Sequence, residues 1–264
     1  MSNVRALLLA AGLGSRLRPL TEDCPKCLMP IGGIPILEHW LCNLYRCGIS
    51  SVLVNSHHHR EMVASFLLRE RFSNWVSNVG EGQLLGTAGT LRANADKLID
   101  NTVFVIHADN WCQCDFKDFL DFHVYRRPRS TVMTMMTFRT TTPESCGIVE
   151  TDNSGIVKSF YEKVDEPHGN LANGAVYLLE PEVISWIARR TDVTDFSTDV
   201  IPEFLGRIAS WENTGVHRDI GTVESLLEAQ YDSQPRACWP NNDPWMCKYL
   251  KHPIHKFLSE AMII

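Results

Sequence analysis

Short apolar runs alternate with stretches of helical period through the first half of the chain, and nothing else in the sequence limits its fold so strongly. Residues 4–10, 51–55, 75–79, 103–107 and 132–138 read as strands. Between them, residues 36–47, 60–71, 87–99 and 115–126 read as helices. In 36–47 the apolar face is Leu37, Leu41, Leu44 and Tyr45, and Gly48 ends the helix. A β-α repeat of this kind implies a mostly parallel sheet with helices on both faces. Ligands of such sheets bind beyond the C-terminal ends of the strands.

The pattern changes after Thr140. Residues 147–150 and 156–161 flank the turn Asp152-Asn153-Ser154-Gly155 and read as a hairpin. A strand at 173–179 and a helix at 181–190 follow, the helix opened by Pro181. Residues 196–205 look helical with Pro202 as an irregularity, and 208–213 and 216–219 read as strands. Thr222 is suited to cap a helix over 222–230. The expected class is therefore α/β: a Rossmann-like, mostly parallel sheet flanked by helices, with inserted antiparallel strands. Composition becomes turn-rich near Tyr231, which suggests a domain over 1–231 and an appendage over 232–264 with a short helix at 255–262. In that appendage Trp239, Trp245 and Tyr249 either pack on the domain or form a subunit contact.

The 264 residues carry a net charge of −6. Nonspecific attachment to nucleic acid or to an anionic membrane is not expected from such a chain. Any polyanionic ligand must be held by local cations. No apolar run reaches the ~18 residues of a transmembrane helix. The first strand begins at once, without a signal peptide, so a cytoplasmic protein is expected. Nine cysteines, an odd count, argue against a disulfide framework.

Local cations stand beside the first strand end. Ala10, Ala11, Gly12 and Gly14 form a loop with almost no side chains, and Arg16, Arg18 and Lys26 follow it. A dinucleotide fingerprint requires a third glycine, which Ser15-Arg16-Leu17 does not supply. A phosphate loop of the Walker type requires Lys-Ser or Lys-Thr, and Lys26 precedes Cys27. Two readings remain, a plain solvated basic loop and a nucleotide cradle, and the second uses the small residues as well as Arg16 and Lys26. Small residues let a base and ribose approach the backbone closely. Arg16 then reaches the outer phosphates of a nucleoside triphosphate and Lys26 the α-phosphate, while Arg18 has no task.

The stretch Leu9-Ala10-Ala11-Gly12-Leu13-Gly14-Ser15-Arg16, with Pro25-Lys26-Cys27-Leu28-Met29-Pro30, resembles the signature of the sugar-1-phosphate nucleotidyltransferases. Four later stretches extend the resemblance over roughly residues 3–230. Gln83 and the turn Leu85-Gly86-Thr87-Ala88-Gly89 are similar to the family's base-binding turn. Ala108-Asp109 stands where the family usually has Gly-Asp. Glu162-Lys163 resembles a pair that meets the sugar and its phosphate, and Asn173-Gly174-Ala175-Val176-Tyr177 resembles a sugar-binding strand. Asp219-Ile220-Gly221-Thr222 is similar to the motif that carries a second metal carboxylate.

The resemblance implies transfer of a nucleotidyl group from a nucleoside triphosphate to a sugar 1-phosphate. A phosphate monoester is already a nucleophile, so catalysis reduces to alignment and charge neutralisation. The implied catalytic cations are Arg16, Lys26 and Lys163. Ala10, Ala11, Gly12, Gly14, Gln83, Gly86, Thr87 and Ala88 would bind the nucleotide. Gly147, Glu162, Asn173 and Thr222 would meet the sugar substrate. Asp109 and Asp219 would hold Mg²⁺, a hard cation suited to carboxylate and phosphate oxygens. The chain looks similar to the small guanylyltransferases for mannose or heptose 1-phosphate. Uridylyl or thymidylyl transfer stays open, because backbone contacts to a base leave little trace in sequence. So does a noncatalytic nucleotide-sugar-sensing subunit, although such relatives tend to lose these charged residues. The resemblance also implies a homo-oligomer.

Three further features have plainer readings. His57-His58-His59 lacks the spacing of a zinc site and reads as a strand-end loop near the nucleotide. Cys24-Pro25-Lys26-Cys27 has no second Cys pair to complete a metal site, and Cys112 and Cys114 look incidental. Met133, Met135 and Met136 sit in a strand and read as core.

Overall fold

A computed structural model describes residues 4–262. They divide into two compact units by their internal contacts. The first comprises the residues up to Leu7, Leu85–Ile106 and Cys114–Gly215. The second comprises Leu8–Leu84, His107–Gln113 and the chain from Val216 onward.

The first unit holds a largely antiparallel group of strands. Leu171–Leu179 pairs antiparallel with Thr102–His107 and with Met133–Arg139, and the hairpin of Gly147–Thr151 with Val157–Glu162 extends this sheet. Ile208–Glu212 adds a parallel strand beside Met133–Arg139. The three strand methionines are fully buried, as is Tyr177, whose ring lies 4.6 Å from that of Phe196. Apolar residues recur at short spacing in these strands because both faces are covered.

In the second unit Val52–Ser56 lies parallel to Val76–Gly80. The helix Ile36–Arg46 buries Leu37, Leu41 and Leu44 as its periodicity predicts. Tyr45 is exposed instead, its ring tilted against Trp75 and Trp239. Gly48 ends the helix at φ 74°, a left-handed conformation that favours glycine. The α/β class with inserted antiparallel strands is thus the fold observed.

Helix ends differ from the expected ones where local chemistry breaks the period. The second helix stops at Leu67, four residues early, and the chain turns through Leu68 and Arg69. The run at 87–99 breaks at Asn94, whose side chain donates to the Thr90 carbonyl. Pro202 interrupts the run at 196–205, giving a π turn and then a 3₁₀ turn. Thr222 caps the helix Val223–Tyr231 through a reciprocal capping box with Ser225.

Among the elements that escape sequence reading are a short strand and a short helix. The strand Asn110–Gln113 pairs antiparallel with Val216–Asp219. The helix Pro244–Tyr249 is capped by Asp243. The cysteine expectation needs one refinement, because Cys42 and Cys238 form a disulfide while the other seven remain thiols. An odd count excludes complete pairing, and it leaves room for one bond between residues far apart in the chain. No helix among the described residues is long and apolar enough to cross a membrane.

Candidate active site

The small-residue loop leaves the strand Val4–Leu9 and is held from three sides within the second unit. Asn55 accepts the Ala10 N–H at 2.6 Å, and Asn55 in turn donates to Glu81. Gly14 adopts φ 62°, and a side chain there would meet Thr21 Cγ2 at 2.8 Å. The Thr21 hydroxyl donates to the Gly14 carbonyl. His58 and His59 both approach the Thr21 carbonyl, at 2.9 and 3.2 Å. These histidines thus support the small-residue loop through Thr21.

Arg16 sits in the 3₁₀ turn Ser15–Leu17, which buries Leu17 and leaves the arginine outside. Lys26 opens the next 3₁₀ turn but one, after the extended Pro25. That turn closes with the Met29 N–H donating to the Lys26 carbonyl at 3.0 Å. It buries the lysine stem, so only 8% of its side chain is exposed.

Two carboxylates meet the Lys26 ammonium. It donates to Asp109 at 2.9 Å and to Asp219 at 2.8 Å. Arg16 donates to the other oxygen of Asp219, also at 2.9 Å. The residues come together because Asp219 pairs with Asn110 across the two-stranded ribbon, which places Asp109 beside it. The Ala108 N–H donates to the Leu9 carbonyl and ties this ribbon to the strand that feeds the loop. Gly221 leaves this pair its space: a Cβ there would lie 2.8 Å from Asp219 Oδ2 and 2.9 Å from Arg16 Nη2, so one of the two side chains would have to shift.

The charges tune one another. Burial opposes the charge on Lys26, but Asp109 and Asp219 outweigh it and hold the ammonium above its usual pKa. Partial burial likewise opposes the charge on Asp219, and Lys26 and then Arg16 hold its carboxyl below the usual range. Two carboxylates converging on one cation also fit Mg²⁺, which takes one or two protein carboxylates and completes its shell with phosphates and water. Among the described residues no group of three or more His, Cys, Asp or Glu side chains forms a closed metal cage.

The first unit gathers a second set. Glu162 pairs with Gly147 in register, and Ala172, next to Asn173, pairs with Ile148. A Cβ on Gly147 would strike the Phe160 ring at 2.6 Å and Glu162 at 2.7 Å, so glycine leaves that carboxylate its place. Asn173 donates to the Tyr177 hydroxyl at 2.7 Å and accepts from the Ala175 N–H. Lys163 adopts φ 50° and turns its ammonium to within 3.4 Å of Glu162. In the turn at Gly86, the N–H groups of Ala88 and Gly89 donate to the Thr194 carbonyl, and Thr87 donates to Asp195. Thr222, in the second unit, engages its hydroxyl with Ser225. Gln83 is exposed.

Arg16, Lys26, Asp109 and Asp219 are thus one ion cluster, and Gly147, Glu162, Lys163 and Asn173 are neighbours in a sheet. Sequence reading missed Asn55, Thr21, His58 and His59 as loop supports. Only the polar Asn55 at the end of an apolar strand was a signal for any of them.

Residues 5–235 match the family model described as Nucleotidyl transferase. A mannose-1-phosphate guanylyltransferase of Mycobacterium tuberculosis is 30% identical over 87% of this chain and 64% of that protein. A mannose-1-phosphate guanyltransferase of Candida albicans is 28% identical over 85% of this chain and 63% of that protein. The chain therefore spans slightly less than two thirds of these relatives' length. A Bacillus anthracis protein solved with a sucrose, provisionally described as a glucose-1-phosphate thymidylyltransferase, has the same fold. Its TM-score is 0.78 at 24% identity, over 89% of this chain and 98% of that one. Motifs, fold and family match agree, and the chain belongs to the nucleotidyl transferase family.

Proposed function

We propose that the chain transfers a nucleoside monophosphate from a nucleoside triphosphate to a sugar 1-phosphate. GTP with mannose 1-phosphate is the first pair to try, as the names of the two curated relatives suggest, and a heptose 1-phosphate is the second. The observation that carries the reading is the Lys26 ammonium held between Asp109 and Asp219 with Arg16 alongside.

In this reaction a phosphate oxygen of the sugar 1-phosphate attacks the α-phosphorus. The bond from the α-phosphorus to the bridging oxygen breaks, and pyrophosphate leaves with its electron pair. No proton transfer is needed at the nucleophile, so the residues act by position and charge. Lys26 neutralises the α-phosphate and Arg16 the leaving pyrophosphate. Lys163 meets the attacking phosphate, while Glu162 and Asn173 accept from or donate to sugar hydroxyls beside Gly147. Ala10, Ala11, Gly12 and Gly14 take the nucleotide against the backbone, and Gln83, Gly86, Thr87 and Ala88 take the base. Thr222 supports the sugar side through its helix cap. Mg²⁺, when bound, would be held by Asp109 and Asp219 and would neutralise phosphate charge. The reading places the chain in the cytoplasm as a homo-oligomer, the latter checked by light scattering.

Pyrophosphate release across the four common nucleoside triphosphates and a panel of sugar 1-phosphates tests the proposal. GTP with mannose 1-phosphate should give the highest kcat/KM. Release with a uridine or thymidine nucleotide instead would correct the base. No release with any pair, from a chain that still binds a nucleotide sugar, would favour the sensing subunit.

A further inference from the structure

The Lys26 turn has a support from the far end of the chain. Tyr249 lies on the helix Pro244–Tyr249, and its hydroxyl donates to the carbonyl of Leu28. Leu28 is the last residue of the 3₁₀ turn that Lys26 opens. The only other donor to that carbonyl among the described residues is the Cys24 thiol, at 3.7 Å, a weak contact. The phenol is thus the strong bond at the Leu28 carbonyl, added to the backbone bonds that close the turn.

The phenol is itself fixed. Tyr249 is 3% exposed, and its ring stacks on Trp245 at 4.9 Å and meets the edge of His255 at 4.8 Å. Trp245 donates to the Ser65 hydroxyl. Asp243 caps this helix and accepts from both Arg69 and Arg71 at 2.7 Å. Those arginines also grip the buried Glu38 of the helix that follows the turn. The Cys42–Cys238 bond ties the start of the same segment to that helix. Burial and the neighbouring groups Cys24, Cys27 and Glu38 raise the phenol well above its ordinary pKa, so it remains a donor at any pH where the protein works.

We propose that Tyr249 is a positioning residue of the transfer reaction: its bond to the Leu28 carbonyl fixes the turn that aims Lys26. The C-terminal segment thereby belongs to the machinery of the site without touching a substrate. The inference rests on the reaction proposed above, and its test includes a readout that does not depend on turnover.

The test is Tyr249→Phe in the full chain, which removes the donor and keeps the ring. Lysines are acylated with acetic anhydride for increasing times, and each site is quantified by peptide mass spectrometry. Lys26 should acylate severalfold faster than in the wild type, while Lys163, already exposed, should not change. On the active pair, kcat should fall about ten- to a hundredfold, the scale expected when a catalytic group is displaced by about an ångström, with KM for the triphosphate little altered. Asp243→Asn, which loosens the segment but spares the phenol, should give a smaller change of the same kind, and it decides the matter if Tyr249→Phe does not fold. A lowered Tm with wild-type Lys26 acylation and wild-type kcat would reduce Tyr249 to a packing residue and overturn the proposal. If the wild type releases no pyrophosphate at all, the reaction is wrong, and the acylation rates still decide whether Tyr249 holds Lys26.

Discussion

Lys26 is the residue on which most of the chemistry turns. Its ammonium is shared by two carboxylates, so Lys26→Ala should lower kcat/KM about 10²- to 10³-fold, as removal of one preorganised charge does elsewhere. Steady-state pyrophosphate release would show it. Asp109→Ala should abolish turnover with an unchanged circular dichroism spectrum, since the side chain is only partly buried and carries no packing load. The same cluster sets a pH signature. Asp219 is depressed in the folded state, so its contribution to stability is present above the unfolded value of about 3.9 and is lost as pH falls through the lower folded value. Lys26 is raised, so its contribution is complete below the unfolded value of about 10.4 and is lost as pH rises through the higher folded value. Lys26→Gln should therefore destabilise the chain by about 1 kcal/mol across neutral pH, discounted for the solvent around Asp219. That difference should shrink below about pH 4 as Asp219 takes up its proton. Urea unfolding at a series of pH values measures it, and a difference that does not shrink as the pH falls below about 4 would contradict the assignment. The motifs around these residues were legible because each is short and local. That Asp109 and Asp219 meet was implied only by the resemblance, and that Lys26 sits between them was not legible, because their meeting depends on a strand pairing across more than a hundred residues.

At the scale of elements, the loops carry the specificity of shape. Gly147 lies under the Phe160 ring and Glu162, so Gly147→Ala should displace that carboxylate. Its expected mark is a raised KM for the sugar 1-phosphate with little change for the triphosphate, read from initial rates with each substrate varied. Thr222→Ala should cost about 1 kcal/mol by loss of the cap, and Thr222→Ser should restore it; chemical denaturation separates the two. Most strands and helices could be placed from hydrophobic period alone, to within a few residues at their ends. The ribbon strand Asn110–Gln113 could not, because Trp111 and Cys112 are buried in a stretch too short to show alternation. The helix Pro244–Tyr249 was hidden for a related reason. The Pro240-Asn241-Asn242 stretch before it reads as a loop, and only the Asp243 cap with Pro244 behind it marks a helix start.

For the molecule as a whole, the least legible feature is what the last thirty or so residues do. Their aromatic content was visible, but not its destination: Trp239 lies against Tyr45, Phe72 and Trp75, and Tyr249 reaches the Lys26 turn. Contacts of that range leave no periodic trace. The disulfide is of the same kind, and it gives a direct check: the denatured, unreduced chain should titrate seven thiols and, after reduction, nine. Nine before reduction would show that the cysteines stay apart. The distance in sequence between Lys26 and its partners also sets an order in time. Lys26 leaves the ribosome early, whereas Asp219 follows 193 residues later and Tyr249 later still. At about 5–20 residues per second, the nascent chain exists for roughly ten to forty seconds with this lysine made and its carboxylate and turn support still unmade. The loop that appears first in the sequence is therefore the part of the site completed last.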